Sequence, residues 1–123
     1  MVQYKVLILE DYLPNQILFK DMLCDTFIIP LPAYTIEEAS RFFDENPDIE
    51  IVVVDGCINS KKINTIEFVK IIRGKFKKPI VSISESERNQ NKLLAAGCDF
   101  KCTKLKLPRF LTDLIAQLCK GGD

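Results

Sequence analysis

Histidine is absent from this sequence, and so is tryptophan. Without histidine the chain cannot form the Ser-His or Cys-His pairs that activate a nucleophile. The five cysteines are odd in number, none belongs to a Cys-x-x-Cys pair, and there is no histidine to complete a zinc site. We therefore expect free thiols, buried or partly buried, rather than a disulfide framework or a structural metal. Any chemistry must use carboxylates, hydroxyls and lysines.

The sequence also lacks net charge, since 17 lysines and arginines balance 17 aspartates and glutamates. This balance argues against direct binding to nucleic acid or to an anionic membrane. The amino-terminal apolar stretch is too short for a signal peptide or a membrane span, which favours a cytoplasmic protein without membrane insertion. With 47% hydrophobic and 28% charged residues, we expect one globular domain over residues 1–123.

The stretch from Ile49 to Cys57 organises the rest of the chain. Five of its first six residues are β-branched and apolar, without clean alternation. This pattern predicts a strand that is buried on both faces at the centre of a parallel sheet. The strand ends at Asp55, which Gly56 follows. A carboxylate in that position stands where open α/β sheets form their ligand crevice.

Apolar runs predict four further strands, at Tyr4–Leu9, Phe27–Leu31, Ile80–Ile83 and Phe100–Thr103. The second of these contains Pro30, and proline cannot donate to a central ladder, so we expect an edge strand. The five strands alternate with five predicted helices. The sequence therefore predicts an α/β fold, a doubly wound (βα)5 arrangement with a five-stranded parallel sheet and right-handed crossovers.

The predicted helices carry recognisable start and stop signals. Pro14 suits the first turn of the first helix, and Thr35 with Glu38 forms a capping box before the second. Gly97 closes the fourth helix, and Pro108 opens the fifth. Apolar residues at helical spacing are Ile17, Leu18, Met22 and Leu23 in the first helix, Ala39, Phe42 and Phe43 in the second, Ile66, Val69, Ile71 and Ile72 in the third, and Phe110, Leu111, Leu114, Ile115 and Leu118 on the inner side of the fifth.

Polar residues follow four of the five predicted strands. Glu10 and Asp11 end the first, Asp55 the third, Ser84 the fourth and Lys104 the fifth. Each of them alone could be a turn former, a helix cap or a surface charge. Because the carboxyl ends of parallel strands meet at one edge of the sheet, we expect these five side chains to converge on one crevice.

The predicted crevice has a definite chemistry. Its three carboxylates would repel one another unless a cation lay between them, and oxygen ligands suit Mg²⁺ or Mn²⁺. Lys104 can pair with Asp55 in the empty site and with an anion in the filled one. Ser84 supplies a small hydroxyl donor. Carboxylate, metal, hydroxyl and ammonium together suit a site that accepts a phosphoryl group, with Asp55 as the nucleophile.

These five residues, each in its expected element, resemble the active site of receiver domains of two-component response regulators. The resemblance covers essentially the whole chain and implies the strand order 2-1-3-4-5. It implies a phosphoprotein that is a signalling domain rather than a classical enzyme, with intrinsic phosphotransfer and autodephosphorylation chemistry. The donor would be a histidine kinase or a phosphotransfer protein, and the receiver would act on a downstream protein as a monomer or as a phosphorylation-dependent dimer.

The resemblance also assigns roles to individual residues. Asp55 would accept the phosphoryl group, and Ser84 and Lys104 would contact its oxygens. Mg²⁺ (or Mn²⁺) would be held by Glu10, Asp11, Asp55 and the backbone carbonyl of Cys57. Phosphorylation would be read out on the face formed by the fourth helix, the fifth strand and the fifth helix.

Several positions depart from the pattern of receivers. Ile58-Asn59 replaces the usual Met-Pro, and Thr65 replaces a glycine before the third helix. Leu105 follows Lys104 where a cis proline is usual, so Lys104 either bears a strained cis bond or approaches by a trans route. Lys101 replaces the switch aromatic and would be reluctant to bury its ammonium. We therefore expect signalling that is weak or that uses another mechanism.

Two other classes of function remain. One is a receiver-like interaction module that has lost phosphorylation and docks constitutively through the fourth and fifth helices. The other is a small flavodoxin-like enzyme or nucleotide binder, which is disfavoured because no Gly-x-Gly-x-x-Gly or Walker-type loop follows the first strand.

Overall fold

The computed structural model describes residues 2–121, in which five strands alternate with five helices. The strands are β1 (Tyr4–Leu9), β2 (Ile28–Ala33), β3 (Ile49–Val54), β4 (Ile80–Ser82) and β5 (Phe100–Lys101). The helices are α1 (Leu13–Leu23), α2 (Ile36–Glu45), α3 (Ile66–Arg73), α4 (Glu87–Ala96) and α5 (Leu107–Gly121). All strands are parallel and lie in the order β2-β1-β3-β4-β5, which confirms the predicted fold class and strand order.

β3 lies at the centre of the sheet and is buried on both faces, as its continuous apolar run predicts. Val52 and Val54 pack into one core with side chains of α2, α3 and α4. Ile51 and Val53 point the other way, into a second core with side chains of α1 and α5. The sheet is therefore covered by helices on both faces, and its carboxyl edge is left for the polar residues.

β2 is an edge strand, as predicted, because it pairs with β1 alone among the described strands. Pro30 and Pro32 both lie within it. Their missing N–H groups are tolerated because the outer side of an edge strand has no ladder to form.

The capping signals at α2 and α4 are confirmed. The Thr35 side chain accepts a hydrogen bond from the Glu38 N–H at 3.0 Å. The reciprocal bond is displaced by one residue, since Glu38 Oε1 accepts from the N–H of Tyr34 at 2.7 Å instead of that of Thr35. Gly97 ends α4 with a φ of 137°, a conformation that favours glycine.

The predicted apolar positions of α1 were wrong in three of four cases. Ile17, Leu18 and Met22 are exposed, and the inner face is instead formed by Gln16, Phe19 and Leu23. The physical reason is the Gln16 amide, which donates to the carbonyl of Ile8 at 2.9 Å and to that of Glu10 at 3.0 Å. These bonds satisfy carbonyls at the end of β1 and rotate the helix so that positions 16, 19 and 23 face the sheet.

Smaller corrections concern the lengths of β4 and β5 and the exposure of one residue each in α3 and α5. β5 has two residues instead of the predicted four, and β4 ends at Ser82. Ile71 in α3 is exposed, and so is Leu118 of α5, whose relative exposure is 41%. Leu118 lies at the level of the start of the sheet, since the neighbouring Cys119 Sγ contacts the Tyr4 hydroxyl at 2.8 Å. Within residues 2–121, no strand extends past that level to cover the helix.

The five cysteines are free thiols, as predicted. Their burial is more varied than expected, because Cys24 and Cys119 are exposed, Cys57 and Cys102 are partly buried and Cys98 is buried. None of the helices within residues 2–121 has the length and apolar character needed to cross a membrane.

Candidate functional site

Three acidic side chains meet at the carboxyl edge of the sheet. Glu10, Asp11 and Asp55 each offer a carboxylate oxygen, and these oxygens lie within 4.8 Å of one another. Their backbone is fixed by the sheet, because the Glu10 N–H donates to Ala33 O and the Asp55 N–H donates to Leu9 O, both at 3.0 Å. Parallel pairing thus continues one residue past β1 and β3, and it carries the two acids side by side.

Lys104 reaches into this acidic cluster from the loop after β5. Its Nζ lies 2.9 Å from Glu10 Oε1 and 3.0 Å from Asp55 Oδ2, and its side chain is only 17% exposed. Burial lowers the pKa of Lys104, but the hydrogen bonds to Glu10 and Asp55 outweigh burial and raise the pKa above its ordinary value. The ammonium is therefore the counter-charge of the cluster. The Lys104–Leu105 bond is trans, which decides between the two predicted routes.

Glu10 is fully buried, which is costly for a carboxylate. Its Oε1 accepts from Lys104 and from the Asn15 side chain. Among the described residues, Oε2 has no hydrogen-bond partner. Burial, followed by the adjacent Asp55 carboxyl, raises the pKa of Glu10 to about 7, although Asn15 and Lys104 act in the opposite direction. A buried carboxylate oxygen without a partner is a place that a cation can satisfy.

Asp55 is held from several directions and is itself buried. Its Oδ1 accepts from the Gly56 N–H at 2.7 Å, while Oδ2 faces Lys104. The Thr65 hydroxyl donates to the Asp55 backbone carbonyl at 2.9 Å. The Gly56 position also leaves room for Ser84, since a Cβ there would lie 3.2 Å from Ser84 Oγ. Ser84 is buried beside the residue that follows Asp55.

Two further predicted residues lie around this cluster. Cys57 is partly buried, and burial, followed by the charges of Asp55 and Asp11, raises the pKa of its thiol. The role of its backbone carbonyl stays a prediction. Lys101 is exposed on β5, where it pairs in register with Ser82. The structure thus brings Glu10, Asp11, Asp55, Ser84 and Lys104 to one edge and leaves Lys101 on the neighbouring surface.

The loop between β3 and α3 contains contacts that sequence reasoning missed. Asn64 bonds the backbone of Ile58 twice, donating to its carbonyl and accepting from its N–H, both at 2.8 Å. The next residue, Asn59, donates its main-chain N–H to Asp11 Oδ2 at 2.7 Å. The departure from Met-Pro was the available signal, because asparagine has a main-chain donor that proline lacks.

Comparison with known proteins extends to solved structures only, since no protein-family model and no curated protein sequence matches the chain. A two-component response regulator from Clostridium difficile is similar with a TM-score of 0.82 at 23% identity, over 98% of this chain and all of the other. The chemotaxis protein CheY4 of Vibrio cholerae gives 0.76 at 20% identity, over 94% and 98% of the two chains. A response regulator from Thermotoga maritima gives 0.76 at 16% identity, over 94% and 99%.

These matches span nearly the full length of this chain. Together with the strand order they show that the chain has the fold of response-regulator receivers, which confirms the predicted resemblance at the level of the fold.

Proposed function

We propose that this chain is a receiver that accepts a phosphoryl group on Asp55 from a histidine kinase or a phosphotransfer protein, in a reaction that depends on Mg²⁺. The observation that carries the proposal is the placement of Asp55. It is a buried carboxylate at the end of the central strand, paired with Lys104 at 3.0 Å and grouped with two further carboxylates. If these acids served only as helix caps, the largely buried Lys104 among them would have no explanation.

The transfer step is a displacement at phosphorus. An oxygen of the Asp55 carboxylate forms a bond to phosphorus, the bond from phosphorus to the donor's histidine nitrogen breaks, and its electron pair returns to the imidazole. Lys104 would leave the Asp55 carboxylate and pair with a phosphoryl oxygen. Ser84 would donate its hydroxyl to another. Both side chains already lie at the edge of the sheet beside Asp55.

The residues present fit a divalent cation. Glu10, Asp11, Asp55 and the Cys57 carbonyl are all oxygen donors, the class that Mg²⁺ and Mn²⁺ prefer. The unpartnered Oε2 of the buried Glu10 supports the same conclusion, since it is satisfied by no group in residues 2–121. When bound, the ion would neutralise charge on the phosphoryl oxygens.

The proposed output surface is the face formed by α4, β5 and α5, where a downstream protein would bind. Ser84 adjoins the start of this face, and Lys101 is exposed on it. Burying the ammonium of Lys101 would cost much free energy. We therefore infer that the readout does not involve rotation of the side chain at position 101 into the protein. A shift in the β4–α4 segment with Ser84 would carry the signal instead.

Incubation with Mg²⁺ and acetyl phosphate, followed by intact-protein mass spectrometry, tests the proposal. We expect the mass to increase by one phosphate in the wild type and in Asp113→Asn, which removes an exposed carboxylate of α5. Asp55→Asn should show no increase. An equal gain in Asp55→Asn, or none in the wild type with Mg²⁺ present, would contradict the proposal.

A second candidate is an interaction module that is not phosphorylated. One observation favours it: Lys104 already pairs with Glu10 and with Asp55 without any ligand. In that case the wild type would gain no phosphate mass, and a separate calorimetric titration would detect no Mg²⁺ binding, so the two measurements together separate the two functions.

A further inference from the structure

We propose that Asn59 positions Asp11 as a metal ligand through its main-chain N–H. This inference rests on the proposed function, because it concerns the same cation site. It assigns a role to a residue of the β3–α3 loop that is not itself one of the proposed ligands.

The contact depends on an uncommon backbone conformation. Asn59 has a φ of 54°, in the left-handed region that few residues other than glycine and asparagine adopt readily. In this conformation its N–H points to Asp11 Oδ2, at 2.7 Å. Its side chain also donates to the carbonyl of Tyr34 at 3.2 Å, which ties the loop to the segment before α2.

The rest of the loop holds Asn59 in place. The preceding residue, Ile58, is buried in the core between the sheet and α3. Its N–H and carbonyl are both bonded to the Asn64 side chain. Asn64 in turn donates its own N–H to Gly56 O at 2.9 Å, which closes the loop on the residue after Asp55. Asn59 is therefore presented to Asp11 by a loop that is anchored on both sides.

Proline at position 59 would abolish the contact with Asp11 for two separate reasons. It has no N–H to donate, and its ring fixes φ near −65°, far from the observed value. The replacement of the expected proline by asparagine therefore adds a donor at this position, and that donor is directed at a proposed metal ligand.

A hydrogen bond to one oxygen of a carboxylate fixes its rotation and leaves the second oxygen for an ion. Partners of this kind, which contact the ligand and not the metal, typically affect metal affinity by about 10-fold to 100-fold. Asp11 is only partly buried and follows the end of β1, so without Asn59 its side chain would have more freedom than that of Glu10. Asn59 would therefore raise the affinity of the site for the ion by restricting the Asp11 carboxylate to the orientation in which it binds the ion.

The test compares Mn²⁺ binding, measured by calorimetry, in four forms of the full chain. Asn59→Pro removes both the donor and the left-handed conformation, and we expect affinity to fall about 10-fold or more. Asn59→Gly keeps both and should remain within about 3-fold of the wild type, although it loses the bond to Tyr34. Asn59→Ala keeps the N–H but disfavours the conformation, so its affinity should be intermediate.

The outcomes separate this inference from the proposed function. Affinity in Asn59→Pro equal to or tighter than the wild type would overturn the role of Asn59 while the receiver function stands. Equal weakening in Asn59→Gly and Asn59→Pro would assign the effect to the Tyr34 bond and also overturn it. A wild type that binds no Mn²⁺ would remove the metal-dependent function and this inference together. Circular dichroism of each variant identifies any loss of folding, and Asn59→Ala then gives the decisive comparison.

Discussion

Lys104→Met tests whether the ammonium is the counter-charge of the acidic cluster. Two contacts near 3 Å, to Glu10 and to Asp55, would be lost together. At an effective dielectric constant of about 20, each corresponds to roughly 5 kcal/mol of gross Coulomb energy, most of which is offset by the cost of burying the charges. Breaking a buried ion pair costs about 3 to 5 kcal/mol, and the partial exposure of Lys104 places this case near 3 kcal/mol.

The measurement is urea unfolding at pH 8, with EDTA and then with Mg²⁺. Without the ion we expect the free energy of unfolding to fall by about 3 kcal/mol, because the carboxylates are left unbalanced. Mg²⁺ at about 100 times its dissociation constant should restore about 2.7 kcal/mol. At one and the same Mg²⁺ concentration, the ion should stabilise the variant more than the wild type, because it binds the variant without competing with an ammonium.

Lys106→Met is the matched control, since Lys106 is exposed on the same segment. A surface substitution of this kind should change stability by less than about 0.5 kcal/mol. The reasoning would be refuted if Lys104→Met lost no more stability than Lys106→Met in EDTA, or if Mg²⁺ stabilised it less than the wild type.

Two further predictions concern buried polar groups. Thr65→Val removes the hydroxyl that donates to Asp55 O, and it should reduce the free energy of unfolding by about 1 to 3 kcal/mol in urea, with Thr65→Ser close to the wild type. In metal-free protein the raised pKa of Glu10, about 7 against an ordinary 4.5, means that the folded state keeps a proton that the unfolded state has lost. Stability should therefore fall as pH rises between these values, by at most roughly 3 kcal/mol, and Glu10→Gln should remove this dependence in unfolding curves recorded across the range. A flat wild-type profile would contradict the second prediction, and Thr65→Val as stable as Thr65→Ser would contradict the first.

The fold was predictable because its signals are local and repeated. The apolar run before Asp55 identified the central strand, and Pro30 identified the edge strand, each from one simple physical rule. The clustering of the acidic side chains at the carboxyl edge of the sheet followed from the parallel topology alone. The hydrogen bonds and ion pairs among the site residues, such as those of Lys104 with Glu10 and Asp55, could not be predicted, because they depend on distances that sequence periodicity does not encode.

The error in α1 has its physical origin in a buried polar group. Hydrophobic spacing in α1 pointed to Ile17 and Met22, yet the helix turns its Gln16 amide inward to bond the carbonyls of Ile8 and Glu10. Hydrophobic spacing alone does not register such side-chain to main-chain bonds, which contribute to stability alongside apolar burial. Asn59 was missed because its main-chain bond to Asp11 depends on a left-handed backbone conformation, which asparagine permits but does not dictate.

The charges of the site explain why a divalent ion suits it better than a second lysine. Three carboxylates against the one ammonium of Lys104 leave a net charge of −2 when all are ionised. In the metal-free state the raised pKa of Glu10 absorbs part of this excess as a proton. A further lysine would cancel only one charge and would need a long side chain in a buried space. An ion of charge +2 would balance this excess of two charges while Lys104 stays in the cluster, and Lys104 would then pair with the negative charge that a phosphoryl group brings.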